Sequence, residues 1–319
     1  MSSVAGEQLA GVPVAPGADP TPTTSVPGVP GASGVPLARR RGFPAGVPGA
    51  RLLTGRLPSL VMIAVLVLLT ALALLAPVLV PYDPVQPVGV PYAPVGDPQH
   101  LLGTDMIGRD LLSRTLLGMR TSWLLALVVV AVGLVVGGVV GVAAGAFGGV
   151  VDSVLMRVTD MFLALPSMLV AVAVAAALGP GLTNTFLAIS VVWWPYYARI
   201  VRGEVRSLAV RPHVEAARMA GAGQLRVMTR HLVPGVVPTA VITASLDIGA
   251  VVLTLASLSF LGLGQPAPAP ELGADTSRGM SELLAHWWIP VVPGLAVMLL
   301  SLVANLGGDA VRNLMARRG

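Results

Sequence analysis

Neither cysteine nor lysine occurs anywhere in the 319 residues, and each absence closes off a kind of chemistry. Without cysteine there is no disulfide framework and no thiolate metal site. Without lysine there is no Walker A phosphate loop, so any ATP hydrolysis linked to this chain belongs to another subunit. Charged residues make up only 11% of the sequence and aromatic ones 4%. Basic and aromatic side chains are not interleaved as on a nucleic-acid surface, so the net charge of +5 is read as loops facing anionic lipid and a protein partner. Histidine is sparse too: His100, His213, His231 and His286 are scattered, with no HExxH spacing for a catalytic or structural metal.

What the chain does have is apolar length. Residues of apolar type make up 55%, and several uncharged runs are long enough to span a bilayer, which predicts an all-α, polytopic membrane protein. Residues 1–56, rich in Pro, Gly, Ala, Ser, Thr and Val, cannot bury enough surface to offset chain entropy and are expected to form a disordered cytoplasmic tail. Arg39, Arg40, Arg41, Arg51 and Arg56 precede the first span, Leu57 to about Val80, and hold the N-terminus inside by the positive-inside rule. An extracytoplasmic segment is expected over 81–121. A five-helix core follows over 122–306, with spans at about Ser122–Phe147, Thr159–Leu178, Thr183–Ile200, Gly235–Leu263 and Trp287–Leu306. Six spans return the tail 307–319, with Arg312, Arg317 and Arg318, to the cytoplasm. The loop 201–234 falls on the same side.

That loop is the most informative stretch. Pro212 suits the first turn of a short helix, Glu215 lies where the helix dipole favours an anion, and Gly221 can stop the helix with a positive φ. A second basic helix is expected to start near Gly223. The lesser alternative is that Glu215 is only a helix-start residue paired with Arg218. Here the residues carry a resemblance: Glu215-Ala216-Ala217, with Gly221 after it and Pro234 near the end, resembles the EAA loop of ABC-importer permeases. The resemblance implies a coupling helix that docks on an ATPase subunit, with Glu215, Ala216, Ala217, Arg218, Gly221 and Pro234 as its residues. The motif's usual Ile-x-Leu-Pro ending is replaced by His231-Leu232-Val233-Pro234.

Ahead of the second span, Leu102, Gly103, Thr104, Asp105, Gly108, Arg109, Asp110, Ser113 and Arg114 match the LGTDxxGRDxxSR pattern of the peptide and nickel branch of that family. Thr104 or Asp105 can cap an interfacial helix whose Arg109 and Asp110 pair with neighbours, so a structural and a functional role stay open. Arg157, Asp160, Ala164, Pro166 and Ser167 resemble the family's third span, and the stretch from Thr243 resembles its fifth. The chain is accordingly identified as similar to type C permeases of dipeptide or oligopeptide importers. This implies the type I importer-permease fold and a homologous type B permease as partner. It further implies two ATPase domains that bind ATP and Mg, an extracytoplasmic substrate-binding protein, and no cofactor in this chain. Nickel or another small solute is the alternative cargo.

Ionisable groups inside spans need separate reasoning, because a bare charge in hydrocarbon is costly. Asp247, mid-way along the fifth span, is expected either to line the pathway or to knit helices together. Asp160 stands three residues after Arg157, a spacing that predicts an ion pair on one helix face. Asp160 with Asp247 is the sole pair available to an intramembrane aspartyl enzyme, at depths expected to differ. A self-sufficient secondary transporter would be expected to show two related halves, and no internal repeat is visible. Gly133, Gly137, Gly138, Gly141 and Gly145 give the second span a face for close helix approach, either within the chain or against a second permease.

Overall fold

Leu, Val and Ala dominate every long run of this chain and favour helix once backbone groups must be satisfied internally, which in a bilayer leaves helices as the economical solution. The structure is a computed structural model and describes residues 56–316. The expected tail up to residue 55, with Arg39, Arg40, Arg41 and Arg51, and the terminal Arg317 and Arg318 lie outside the described residues. Among those described no strand forms, and one isolated bridge joins Thr104 to Asp110. The helices are α1 (Arg56–Leu79), α2 (Leu111–Phe147), α3 (Gly149–Leu163), α4 (Ser167–Leu178), α5 (Leu182–Ala209), α6 (Pro212–Met219), α7 (Gln224–Val227), α8 (Val233–Phe260), α9 (Leu272–Gly279) and α10 (Trp288–Ala316).

Four runs are long and apolar enough to cross a membrane: α1, α2, the unbroken stretch Gln224–Phe260, and α10. The expected third span is not one straight helix. Its residues divide between α3 and α4, which meet at an 84° bend. Pro166 explains the break, because it disfavours helix at Leu165 and its ring cannot continue the preceding turn. The remaining expected span is α5, whose second half carries Arg199, Arg202, Glu204 and Arg206 and whose middle is Trp-Trp-Pro-Tyr-Tyr. It is amphipathic for a reason: Ala188, Ile189, Val192, Tyr197, Ala198, Val201 and Val205 are buried along one face, and α2 is the helix it packs on most.

Glycine makes that packing possible. A Cβ on Gly137 would fall 2.3 Å from the Trp194 carbonyl oxygen, and one on Gly141 would fall 2.5 Å from that of Ala198. Gly138, on the other side of α2, meets nothing within 4 Å. The small-residue face is therefore filled by α5 of the same chain.

Apart from a small cluster of Ala144, Met156 and Ala198, the described residues form two apolar cores. The larger joins α2, α4, α5, α8 and α10 around Trp123, Ile189, Val251, Leu258 and Leu300. A smaller one lies at the far end of α2 and α5 around Val201, Val205, Leu208, Val214, Val227, Leu232 and Val236.

Candidate functional site

The loop that follows α5 is a built element. Pro212 occupies the first turn of α6, and Val214, fully buried, plugs the helix into the smaller core. At the other end Gly221 adopts φ +83°; its N–H donates to the Arg218 carbonyl, and the Ala222 N–H donates to that of Ala217. This is a Schellman stop. The Gln224 side-chain amide donates to the Ala146 carbonyl at 2.6 Å, tying the loop to the end of α2. Arg218 donates to the Ala209 carbonyl at 3.2 Å, and no ion pair joins it to Glu215.

What remains outward is a mixed face. Glu215, Ala216, Arg218 and Met219 are exposed, Met219 at 89%, and Leu225 of α7 is 67% exposed beside them. Ala217 is half-buried. Pro234 is exposed in the first turn of α8 and begins that helix. The expected separate basic helix and fifth span are joined. A π-turn at Met228–Leu232, which contains His231, links α7 to α8 without a break.

At the opposite end of α2 the second sequence motif closes on itself. The Thr104 hydroxyl donates to the Val90 carbonyl at 2.6 Å and accepts from the Ala93 N–H at 2.9 Å. Asp105 accepts from the Ile107 and Arg109 N–H groups and, at 2.6 Å, from the Arg109 guanidinium. The cap of α2 is Asp110, not Thr104 or Asp105: its carboxylate accepts from the Ser113 N–H at 2.8 Å and hydroxyl at 2.7 Å, and meets His100 Nδ1 at 3.0 Å. Thr104 and Asp105 are instead spent on the preceding loop. Gly103 and Gly108 sit at φ +78° and +86°, and a Cβ on either would fall within 2.4 Å of a carbonyl oxygen. Arg114, 2% exposed, donates to the Pro84 carbonyl at 2.7 Å and to Asp275 of α9 at 2.6 Å.

The pairing expected between Arg157 and Asp160 does not form. Asp160 accepts from Arg199, and Asp152, buried on α3, is held by Arg202 and Arg206 of α5. Sequence reasoning passed over this belt. Its signal was present in Arg199, Arg202 and Arg206 at i, i+3 and i+7, opposite Asp152 and Asp160 at i and i+8.

Asp247 is half-buried on α8, beside Trp193 and Tyr197 of α5. Its Oδ2, the Trp193 Nε1 and the Tyr197 hydroxyl are all shielded and lack a protein hydrogen bond. Asp160, exposed on α3, is not part of this group. No group of three His, Cys, Asp or Glu residues able to hold a metal ion occurs among the described residues.

Residues 137–318 match the family described as binding-protein-dependent transport system inner membrane component. The chain belongs to that family. The permease is 39% identical over 254 residues to the di/tripeptide transport system permease protein DppC of Pseudomonas aeruginosa, covering 78% of this chain and 84% of the relative. Against the probable D,D-dipeptide transport system permease protein DdpC of Escherichia coli it is 39% identical over 216 residues, 68% and 72% of the two chains. It is likewise 39% identical over 258 residues to the nickel transport system permease protein NikC of Escherichia coli, 78% and 90%. Among solved structures, an inward-facing MetNI methionine ABC transporter gives a TM-score of 0.50 at 20% identity, covering 63% of the permease and 96% of that chain. An amino acid ABC transporter described with histidines gives 0.51 at 14%, covering 65% and 94%. The fold is thus that of a type I ABC-importer permease.

Proposed function

We propose that this permease forms half of a peptide-translocating pore with a homologous second permease, and that α6 is the element through which ATPase subunits drive it. The observation that carries the reading is the two-sidedness of α6. Val214 anchors it in a private apolar core, while Glu215, Ala216, Arg218 and Met219 are presented outward. A helix rigidly seated on one side and unpaired on the other can pass a push to the helices it interrupts, α5 and α8. ATP and Mg belong to the two partner ATPase domains, since the chain has no lysine for a phosphate loop. The arginine-rich loop and both termini lie in the cytoplasm of a bacterial cell, and a substrate-binding protein delivers cargo at the end bearing Gly103–Arg114.

Peptide is favoured as cargo because several of the similar permeases are named for dipeptides. Nickel is the second reading, carried by the equally similar nickel permease.

The test compares wild-type permease with Glu215→Lys, co-expressed with its ATPase and binding-protein partners. Reversing an outward charge at the start of α6 is expected to weaken ATPase co-purification roughly tenfold, equivalent to about 1.4 kcal/mol, at unchanged membrane abundance. Uptake of a labelled dipeptide should fall with it. Normal co-purification and uptake by the variant would reduce the loop to a connector, and nickel uptake without dipeptide uptake by wild type would replace the cargo.

A further inference from the structure

Three polar atoms without a protein partner converge where α5 packs on α8: Trp193 Nε1, the Tyr197 hydroxyl and Asp247 Oδ2. The Tyr197 ring is held in place. Tyr197 is fully buried against the glycine face of α2, where a Cβ on Gly137 would come within 2.6 Å of the Tyr197 Cβ. A Cβ on Gly133 would sit 3.2 Å from the Tyr197 ring and 3.5 Å from the Trp193 Cβ. No arginine or histidine forms an ion pair with Asp247 among the described residues.

One side of the cluster is open. The second oxygen of Asp247 is neither hydrogen-bonded nor fully shielded, and Tyr196, 46% exposed, stands beside it with its ring 5.9 Å from that of Tyr197 at 67°. Depth decides what that side can face. Asp247 lies near the middle of α8, about 20 Å along the helix from either end, so an accessible carboxylate there does not face lipid. In the pore proposed above, it faces water or a polar guest. The indole N–H and phenol O–H next to Oδ2 are hydrogen-bond donors that stabilise a carboxylate, and the ring face of Tyr196 attracts cations.

We propose that Asp247, framed by Trp193, Tyr196 and Tyr197, is an intramembrane binding site for an ammonium group, the protonated amine of the solute in transit. This rests on the importer reading given above and adds the chemical class that the pathway recognises. The carboxylate supplies the charge, Tyr196 the π-face, and the two buried donors lie on the shielded side of the acid. The site lies between the two helices that flank α6, so movement of the docking loop alters it directly.

The native absence of cysteine provides a clean probe. In the assembled transporter a Tyr196→Cys variant should react about tenfold faster with a cationic methanethiosulfonate than with an anionic one. Adding Asp247→Asn should abolish that preference, and alanyl-alanine should slow the cationic reagent. In proteoliposomes with the partner subunits and binding protein, Asp247→Asn should cut alanyl-alanine uptake at least tenfold, while Asp247→Glu retains most of it and both variants keep their ATPase subunits. Equal reaction rates for the two reagents, or a thiol at position 196 that reacts with neither, would overturn the site. So would undiminished uptake by Asp247→Asn. If that variant fails to assemble, the charge preference of Tyr196→Cys alone decides. A charge preference without alanyl-alanine import by wild type leaves the cation site and removes the peptide reading; import without the preference does the reverse.

Discussion

The two ends of α2 carry the chain's two sequence motifs and use them in opposite ways. At the Gly103–Arg114 end nearly every polar side chain is buried and bonded within the chain: Thr104, Asp105, Asp110, Ser113 and Arg114 each have partners. On α6 itself the buried residue, Val214, is apolar, and Glu215 and Arg218 point outward without an ion pair. The difference separates two meanings of a recognisable motif. Side chains that satisfy one another hold a shape, whereas side chains left unsatisfied at the surface wait for another molecule. Buried charge makes the first kind unforgiving, because losing one partner strands the other.

That contrast can be broken at either end. The largest effect is expected from Arg114→Ala, which leaves Asp275 only its longer 3.2 Å contact with Arg278 and frees the Pro84 and Pro268 carbonyls. Removal of one member of a buried pair costs about 3–5 kcal/mol, so thermal unfolding in detergent should occur at clearly lower temperature and membrane abundance should drop. ATPase binding per folded molecule should be unchanged. If the variant were stable yet inactive, the Gly103–Arg114 end would be a contact surface after all.

Gly221→Val should act the other way round. A side chain at φ +83° costs about 1–2 kcal/mol locally, and a β-branched one fits worst, so α6 would lose its stop. Stability of the whole bundle should fall little, while ATPase co-purification falls severalfold. A wild-type level of co-purification would mean that the orientation of α6 does not matter.

The smallest effect concerns pH and belongs to the bonded end. Glu271 caps α9 through the Gly273 and Ala274 N–H groups and is 3% exposed; burial raises its pKa above the ordinary 4.5, against the lowering influence of those N–H groups and Ser259. The folded chain therefore holds this proton more tightly than the unfolded chain does. The resulting stability is complete below 4.5 and is lost as pH rises from there through the folded-state value. Thermal midpoints of wild type should decline across that interval more steeply than those of Glu271→Gln, whose amide oxygen keeps an acceptor without titrating. Parallel profiles would assign the slope elsewhere.

Much of this architecture was legible because hydropathy and turn chemistry are local. Apolar runs announced the spans, and Pro212 and Gly221 announced the two ends of α6. What escaped is non-local. Spacing along one helix can be counted and pairs Arg157 with Asp160, whereas the actual partners, Arg199 for Asp160 and Arg202 with Arg206 for Asp152, lie on another helix. The break at Pro166 was hidden by continuous hydrophobicity on both sides of it. Capping by Asp110 was hidden by Thr104 and Asp105, equally good caps by type, until the preceding loop claimed them.

The unbroken helix from Gln224 to Phe260 behaves as a reduction gear. Its 37 residues measure about 55 Å, and Asp247 sits about 20 Å from the Phe260 end. If that end is the pivot, a swing of about 5° carries Gln224 through about 5 Å but Asp247 through about 1.7 Å. On the proposed coupling, travel of a helical turn at the α6 loop would be scaled down, on arrival at the acid, to the difference between making and losing one hydrogen bond.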